Sequence, residues 1–140
     1  MTSALERLCG PDKPLRAEPA DAREFAGLVS SSLSRLADAA NPTVSLEGRF
    51  DVAYNAAHAL CLAALRYRGF RLRHRYIVFQ VLPHTLQLGP EVWRVLAKAH
   101  AVRNVSEYQG TLEVTERLVA DVITAARRVA ETIGRLPPIG

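Results

Sequence analysis

A chain of 140 residues with 49% hydrophobic and 23% charged side chains is one domain's worth of sequence, long enough to bury about two thirds of the surface its unfolded form exposes. Its two cysteines, Cys9 and Cys61, lie far apart with no metal-type partner at short spacing, so neither a disulfide nor a metal is expected to hold the fold, and a reducing cytoplasm is the simplest location. The start, MTSALERLCGPDKP, has no apolar run of signal-peptide length, and nowhere do about 18 apolar residues follow one another, which argues against export and membrane insertion.

Residues 1–20 contain Pro11, Pro14 and Pro19 and little periodicity, so they read as a flexible tail with a short helical turn near Ala4 to Leu8. From about Asp21 to Ala39, Phe25, Leu28, Val29, Leu33 and Leu36 recur at helical spacing, and Asn41-Pro42 closes this first helix. A long second helix is expected from about Ser45 to Arg68, with Gly69 as its stop. Phe50, Ala53, Tyr54, Ala57, Cys61, Ala64 and Leu65 form its inward stripe, flanked by Val52, Ala56 and Leu60. Small residues in that stripe let neighbouring helices approach closely. Glu47, Asp51, Asn55 and His58 make a polar row on the same helix. Two readings stand for it: a solvated face with an acidic first turn, or one wall of a polar site.

The net charge of +4 is a local feature. No acidic residue lies between Asp51 and Glu91, while Arg66, Arg68, Arg71, Arg73 and Arg75 all fall there, interleaved with Tyr67, Phe70 and Tyr76. Cations beside stackable rings suit a groove for single-stranded nucleic acid, because phosphates supply affinity and aromatic faces accept any base. A solvated loop after a helix C-terminus, where the dipole favours arginine, is the plainer reading. Tyr76 to Leu82, YIVFQVL, has strand propensity, but an isolated strand has no partner, so a short, kinked helix is expected from there through Pro83 to Gly89.

Gly89 to Gly110 carries the signals of a fourth helix, with Pro90 in the first turn and Gly110 past the end. At about 100° per residue, Val92, Trp93 and Leu96 share a face that continues through His100, Arg103, Asn104, Glu107 and Tyr108. An apolar stripe that turns polar on its own side points to a partly buried polar cluster or a subunit contact. A last helix runs from Thr111 or Glu113 to Ile133, with Leu118, Val122, Ala125, Ala126, Val129 and Ile133 inward and Gly134 at its end. The fold class is therefore all-α, an up-and-down bundle of about five helices over residues 21–136, with the second and fourth helices supplying most of the core and 137–140 as a C-terminal tail.

The sequence has no GxxxxGK[ST], GxGxxG, HxxxH or HExxH pattern, and its histidines, His58, His74, His84 and His100, fall on different elements. Neither a metal nor any other cofactor is expected. A Ser/His/Asp hydrolase needs a strand-turn-helix elbow that an all-helical chain lacks.

From about Ser45 to Leu136 the chain resembles the HEPN domains (higher eukaryotes and prokaryotes nucleotide-binding). The likeness rests on SLEGRFDVAYNAAHALCLAALRYRGF, on the short following helix with LPHTL, and on Arg103-Asn104-Val105-Ser106-Glu107-Tyr108. Family members with ribonuclease activity carry Arg, often followed by Asn or another polar residue, then His four to six positions later, and pair so that two copies line one cleft. The resemblance therefore implies Arg103 and Asn104 in a site, a homodimer, RNA or a nucleotide as ligand, and an antitoxin or nucleotidyltransferase-like partner in a toxin–antitoxin or stress-response setting. Tyr108 stands where the histidine belongs. With a reference pKa of about 10 against about 6.5 for histidine, it is a poor proton acceptor near neutrality, so weak or absent cleavage is expected. His100, one turn before Arg103, offers an alternative imidazole. The competing reading is structural: Arg103 paired with Glu107, and Tyr108 closing a buried network in a noncatalytic homodimeric interaction module.

Overall fold

The computed structural model describes residues 3–74, 77–109 and 114–139, with the side chains of 106–109 excluded. Its elements in chain order are α1 (Ala4–Arg7), β1 (Leu15–Ala17), α2 (Ala22–Ala39), α3 (Leu46–Tyr67), β2 (Phe70–Leu72), α4 (Leu82–Thr85), α5 (Pro90–Gln109) and α6 (Glu116–Gly134). The architecture is a helical bundle built around α3, with one small two-stranded sheet at its side.

α3 begins where Ser45 accepts a hydrogen bond from Gly48 N at 3.1 Å, and its end is followed by Gly69 at φ 90°, a left-handed conformation that favours glycine. Phe50, Ala53, Tyr54, Ala57, Leu60, Cys61, Ala64 and Leu65 are buried as the periodicity predicts, and Ala56 and Ala63 are buried on a second side. Alanines on both sides allow α2 and α6 to pack closely against α3. Thr115 caps α6 by accepting from Leu118 N at 3.0 Å, and the six inward residues expected of that helix are all buried. The division of the core differs from expectation. α6 contributes Leu118, Val119, Val122, Ile123, Ala125, Ala126, Val129 and Ile133, whereas the described part of α5 contributes Val92, Leu96 and Ala99. α5 leaves the core as its inward stripe turns polar.

α2 is capped by Asp21, which accepts from Arg23 N and Glu24 N. Phe25, Leu28 and Val29 are only half-buried against the core, and Leu33, expected inward, is exposed. The segment after residue 76 is not one helix: Ile77 to Val81 form tight turns, α4 is a single turn, and Gln87 takes φ 58° before α5 begins. Val78, Phe79 and Leu82 nonetheless reach the main core.

Residues 3–20 are not a tail. β1 pairs antiparallel with β2 in the register Leu15↔Leu72, Arg16↔Arg71, Ala17↔Phe70. Leu5 and Leu15 are buried with Leu65, Ile77 and Val81 in a second apolar cluster. Arg73 N donates to Pro14 O at 2.7 Å and Glu18 N to Gly69 O at 2.9 Å, so backbone bonds continue the pairing past both ends of β1. The domain thus extends to the N-terminal segment. At the other end, Tyr67 Oη donates to Pro137 O at 2.8 Å and ties the start of the expected C-terminal tail to α3.

Candidate functional site

Two polar clusters take up the residues singled out by the sequence. The first lies between α3 and α5. On α3, Asp51, Tyr54 and His58 follow one another at i, i+3 and i+7, and on α5, His100, Arg103 and Asn104 lie one turn apart. Arg103 Nη1 is paired with Asp51 Oδ1, and the guanidinium carbon sits 5.1 Å from the centre of the Tyr54 ring. The Tyr54 hydroxyl is 2.8 Å from His100 Nδ1, and His100 Nε2 is 3.2 Å from Asn104 Nδ2. Phe79 stands edge-on to both His58 and His100 at ring-centroid distances of 5.9 Å and 6.3 Å. The cluster therefore grades from a packed aromatic base to a polar rim, with 32% of the Arg103 and 53% of the Asp51 side chain exposed.

The hydrogen bonds on His100 run in one direction. A neutral imidazole has one donor and one acceptor nitrogen, so with the Asn104 amide donating to Nε2, Nδ1–H donates to the Tyr54 oxygen; turning the amide over reverses both. Either way both ring nitrogens are engaged, and a proton can be taken from a substrate only after one bond breaks. That disfavours His100 as a ready general base. The Arg103 side chain is partly open to solvent, and a guanidinium can donate to more than one acceptor. The arrangement suits holding an anion better than moving a proton.

The expected polar wall is thus assembled in part. Asp51, His58, His100, Arg103 and Asn104 come together, Asn55 is half-buried beside them on α3, and Glu47 is exposed at that helix's first turn. The side chains of Glu107 and Tyr108 lie outside the described residues. Arg103 finds its described carboxylate across the helix pair at Asp51. Tyr54 was legible only as a core residue, although its spacing of three from Asp51 is the signal that places its ring under the Arg103 guanidinium.

The second cluster takes up Arg66 and Arg71, two of the five arginines read as a possible basic groove. Arg66 is 1% exposed: Nε donates to Glu24 Oε1 at 2.6 Å, Nη1 to Glu18 O and Phe70 O at 2.9 and 3.2 Å, and Nη2 to Pro19 O at 2.7 Å. Arg71 donates to Glu18 Oε2 at 2.5 Å and Glu24 Oε2 at 2.8 Å. Hydrogen bonds from Arg71 and then Arg66 hold the Glu24 carboxyl below its ordinary range, and Glu24 and Glu18 in turn raise Arg71. These arginines are committed to carboxylates because the acid-free stretch is neutralised by the segment before it. Arg68 Nε donates to Thr85 O at 2.9 Å and joins α3 to α4, Arg73 is exposed, and Arg75 lies outside the described residues.

Among the described residues no group of His, Cys, Asp and Glu is arranged to hold a metal ion, and no helix is long and apolar enough to cross a membrane. Cys61 is fully buried and its thiol is pushed up by that burial. No protein-family model matches the chain, and comparison with curated proteins and with solved structures gives no match either.

Proposed function

We propose that this chain is a HEPN-like protein that binds a nucleotide or single-stranded RNA through the Arg103 cluster and cleaves it weakly or not at all. The observation that carries this reading is the position of Arg103. Its guanidinium rests on the Tyr54 ring and stays partly open to solvent, with the Asn104 amide one residue along and the Tyr54–His100 hydrogen bond as a floor. A planar guanidinium already oriented by an aromatic face loses little freedom on taking a phosphate in two-pronged fashion. Engagement of both His100 nitrogens supports binding over cleavage. Free Cys9 and Cys61 suit a cytoplasmic setting, where a toxin–antitoxin or stress-response role with a nucleotidyltransferase-like or antitoxin partner belongs to the same reading.

Fluorescence anisotropy with a labelled single-stranded RNA decamer at low salt tests it. Saturable binding that Arg103→Ala abolishes, at an unchanged melting temperature, is the expected result. No binding by the native protein down to about 50 mM salt overturns it. One observation favours a second reading, a noncatalytic homodimeric interaction module: Val105, two residues past Arg103 on α5, is 51% exposed. Sedimentation at tens of micromolar distinguishes a dimer through α5 from a monomer.

A further inference from the structure

Resting on the reading of Arg103 as an anion-binding group, we infer that Asp51 occupies the anion's place and that a ligand must displace it, which makes Asp51 a built-in competitor that sets the affinity of the site. The two arginine–carboxylate arrangements in the molecule differ in the way this requires. Around Arg66 the cation is sealed at 1% exposure, and its carboxylates come from two neighbouring segments that also bond to Arg71. That arrangement is closed. Around Arg103 both partners are partly open, Asp51 more than Arg103.

The guanidinium has a support besides Asp51. Its face lies on the ring of Tyr54, which is itself 5% exposed and anchored by the bond to His100. Withdrawing the carboxylate leaves the cation held over the ring with the edge that faced Asp51 available. An ion pair this exposed favours its own closure by only about 1.4- to 5-fold, so a phosphate with more acceptor oxygens can replace the carboxylate. Once displaced, Asp51 stays on α3 one turn from Tyr54 and repels the newcomer, which adds a penalty of similar size. Neutralising Asp51 removes both effects and tightens anion binding by about 3- to 10-fold.

The test compares the native protein, Asp51→Asn, Arg103→Ala and the double variant for binding of the same RNA decamer by anisotropy at low salt. Glu131→Gln, an exposed α6 residue outside the cluster, controls for the change in net charge. Thermal melting of each variant confirms its fold, and Asp51→Ser serves if the asparagine variant does not fold. The inference expects Asp51→Asn to bind about 3- to 10-fold tighter than native, Glu131→Gln to change binding by less than about 2-fold, and Arg103→Ala to abolish the gain. Binding seen only in Asp51→Asn and lost in the double variant supports the competitor while overturning RNA binding by the native protein. Native binding that Asp51→Asn leaves unchanged or weakens, or that Glu131→Gln raises equally, overturns the competitor while leaving the anion site standing. Absence of binding in both the native protein and Asp51→Asn overturns the anion site and the competitor together.

Discussion

Replacing Arg66 by methionine isolates the contribution of the cluster that fastens the N-terminal segment. Methionine keeps most of the apolar stem, so little cavity opens, but the guanidinium's bonds to Glu24, to the carbonyls of Glu18, Pro19 and Phe70, and its ion pair with Glu18 all go. Removing one partner of a buried pair costs about 3 to 5 kcal/mol. Two features move the expectation to the low end. Each glutamate side chain is still 33% exposed and keeps Arg71 as partner, so neither carboxylate is stranded. The orphaned carbonyls add about 1 kcal/mol each where water cannot reach them. A loss of at least about 3 kcal/mol follows, which for a domain of this size lowers the melting temperature by roughly 10 °C or more. Calorimetry or circular dichroism reads that shift, and limited proteolysis should show earlier cutting between α1 and α2. A fall of less than about 2 °C would refute the reasoning, because the segment before α2 would then contribute nothing to the folded state.

Glu24 makes stability acid-sensitive with a defined sign. Its folded-state value lies below the ordinary 4.5, so its contribution is present above about pH 4.5 and is lost as pH falls through the depressed value; Glu24→Gln should flatten that acid limb in a melting-temperature profile. Tyr54→Phe should cost about 1 to 2 kcal/mol and shift the His100 ring resonances, since one buried bond is lost while the ring stays; unmoved His100 signals would contradict the Tyr54–His100 bond. Cys61 should resist a thiol reagent until the protein unfolds, and fast native-state labelling would contradict its burial.

The helices were legible where burial is one-sided and long. The six inward positions of α6 and the stripe of α3 are all buried because a period of 3.6 sustained over five turns leaves one packing solution. β1 and its partner were not. Three residues between prolines carry no measurable alternation, and the strand exists because Leu15 fills the space beside Leu65 and Ile77. The arginines of α3 and β2 were visible as a charge excess, but their partners Glu18 and Glu24 lie more than 40 residues earlier, so sequence spacing could not separate a phosphate groove from an internal clamp. The Arg103 cluster was half legible. The polar continuation of the α5 stripe marked His100, Arg103 and Asn104, and the polar row of α3 marked Asp51 and His58, while their meeting depended on how the two helices pack.

A nuclear magnetic resonance titration with single-stranded RNA shows, residue by residue, which arginine meets the ligand. Binding at the α3–α5 cluster shifts the Nε–Hε signal of Arg103 and the side-chain amide of Asn104 in a saturable way, with the His100 ring following, while the Nε–Hε signals of Arg66 and Arg71 stay where they are. Shifts at Arg66 and Arg71 or around Arg73, with Arg103 unmoved, would place binding on the β2 side of the molecule and contradict it.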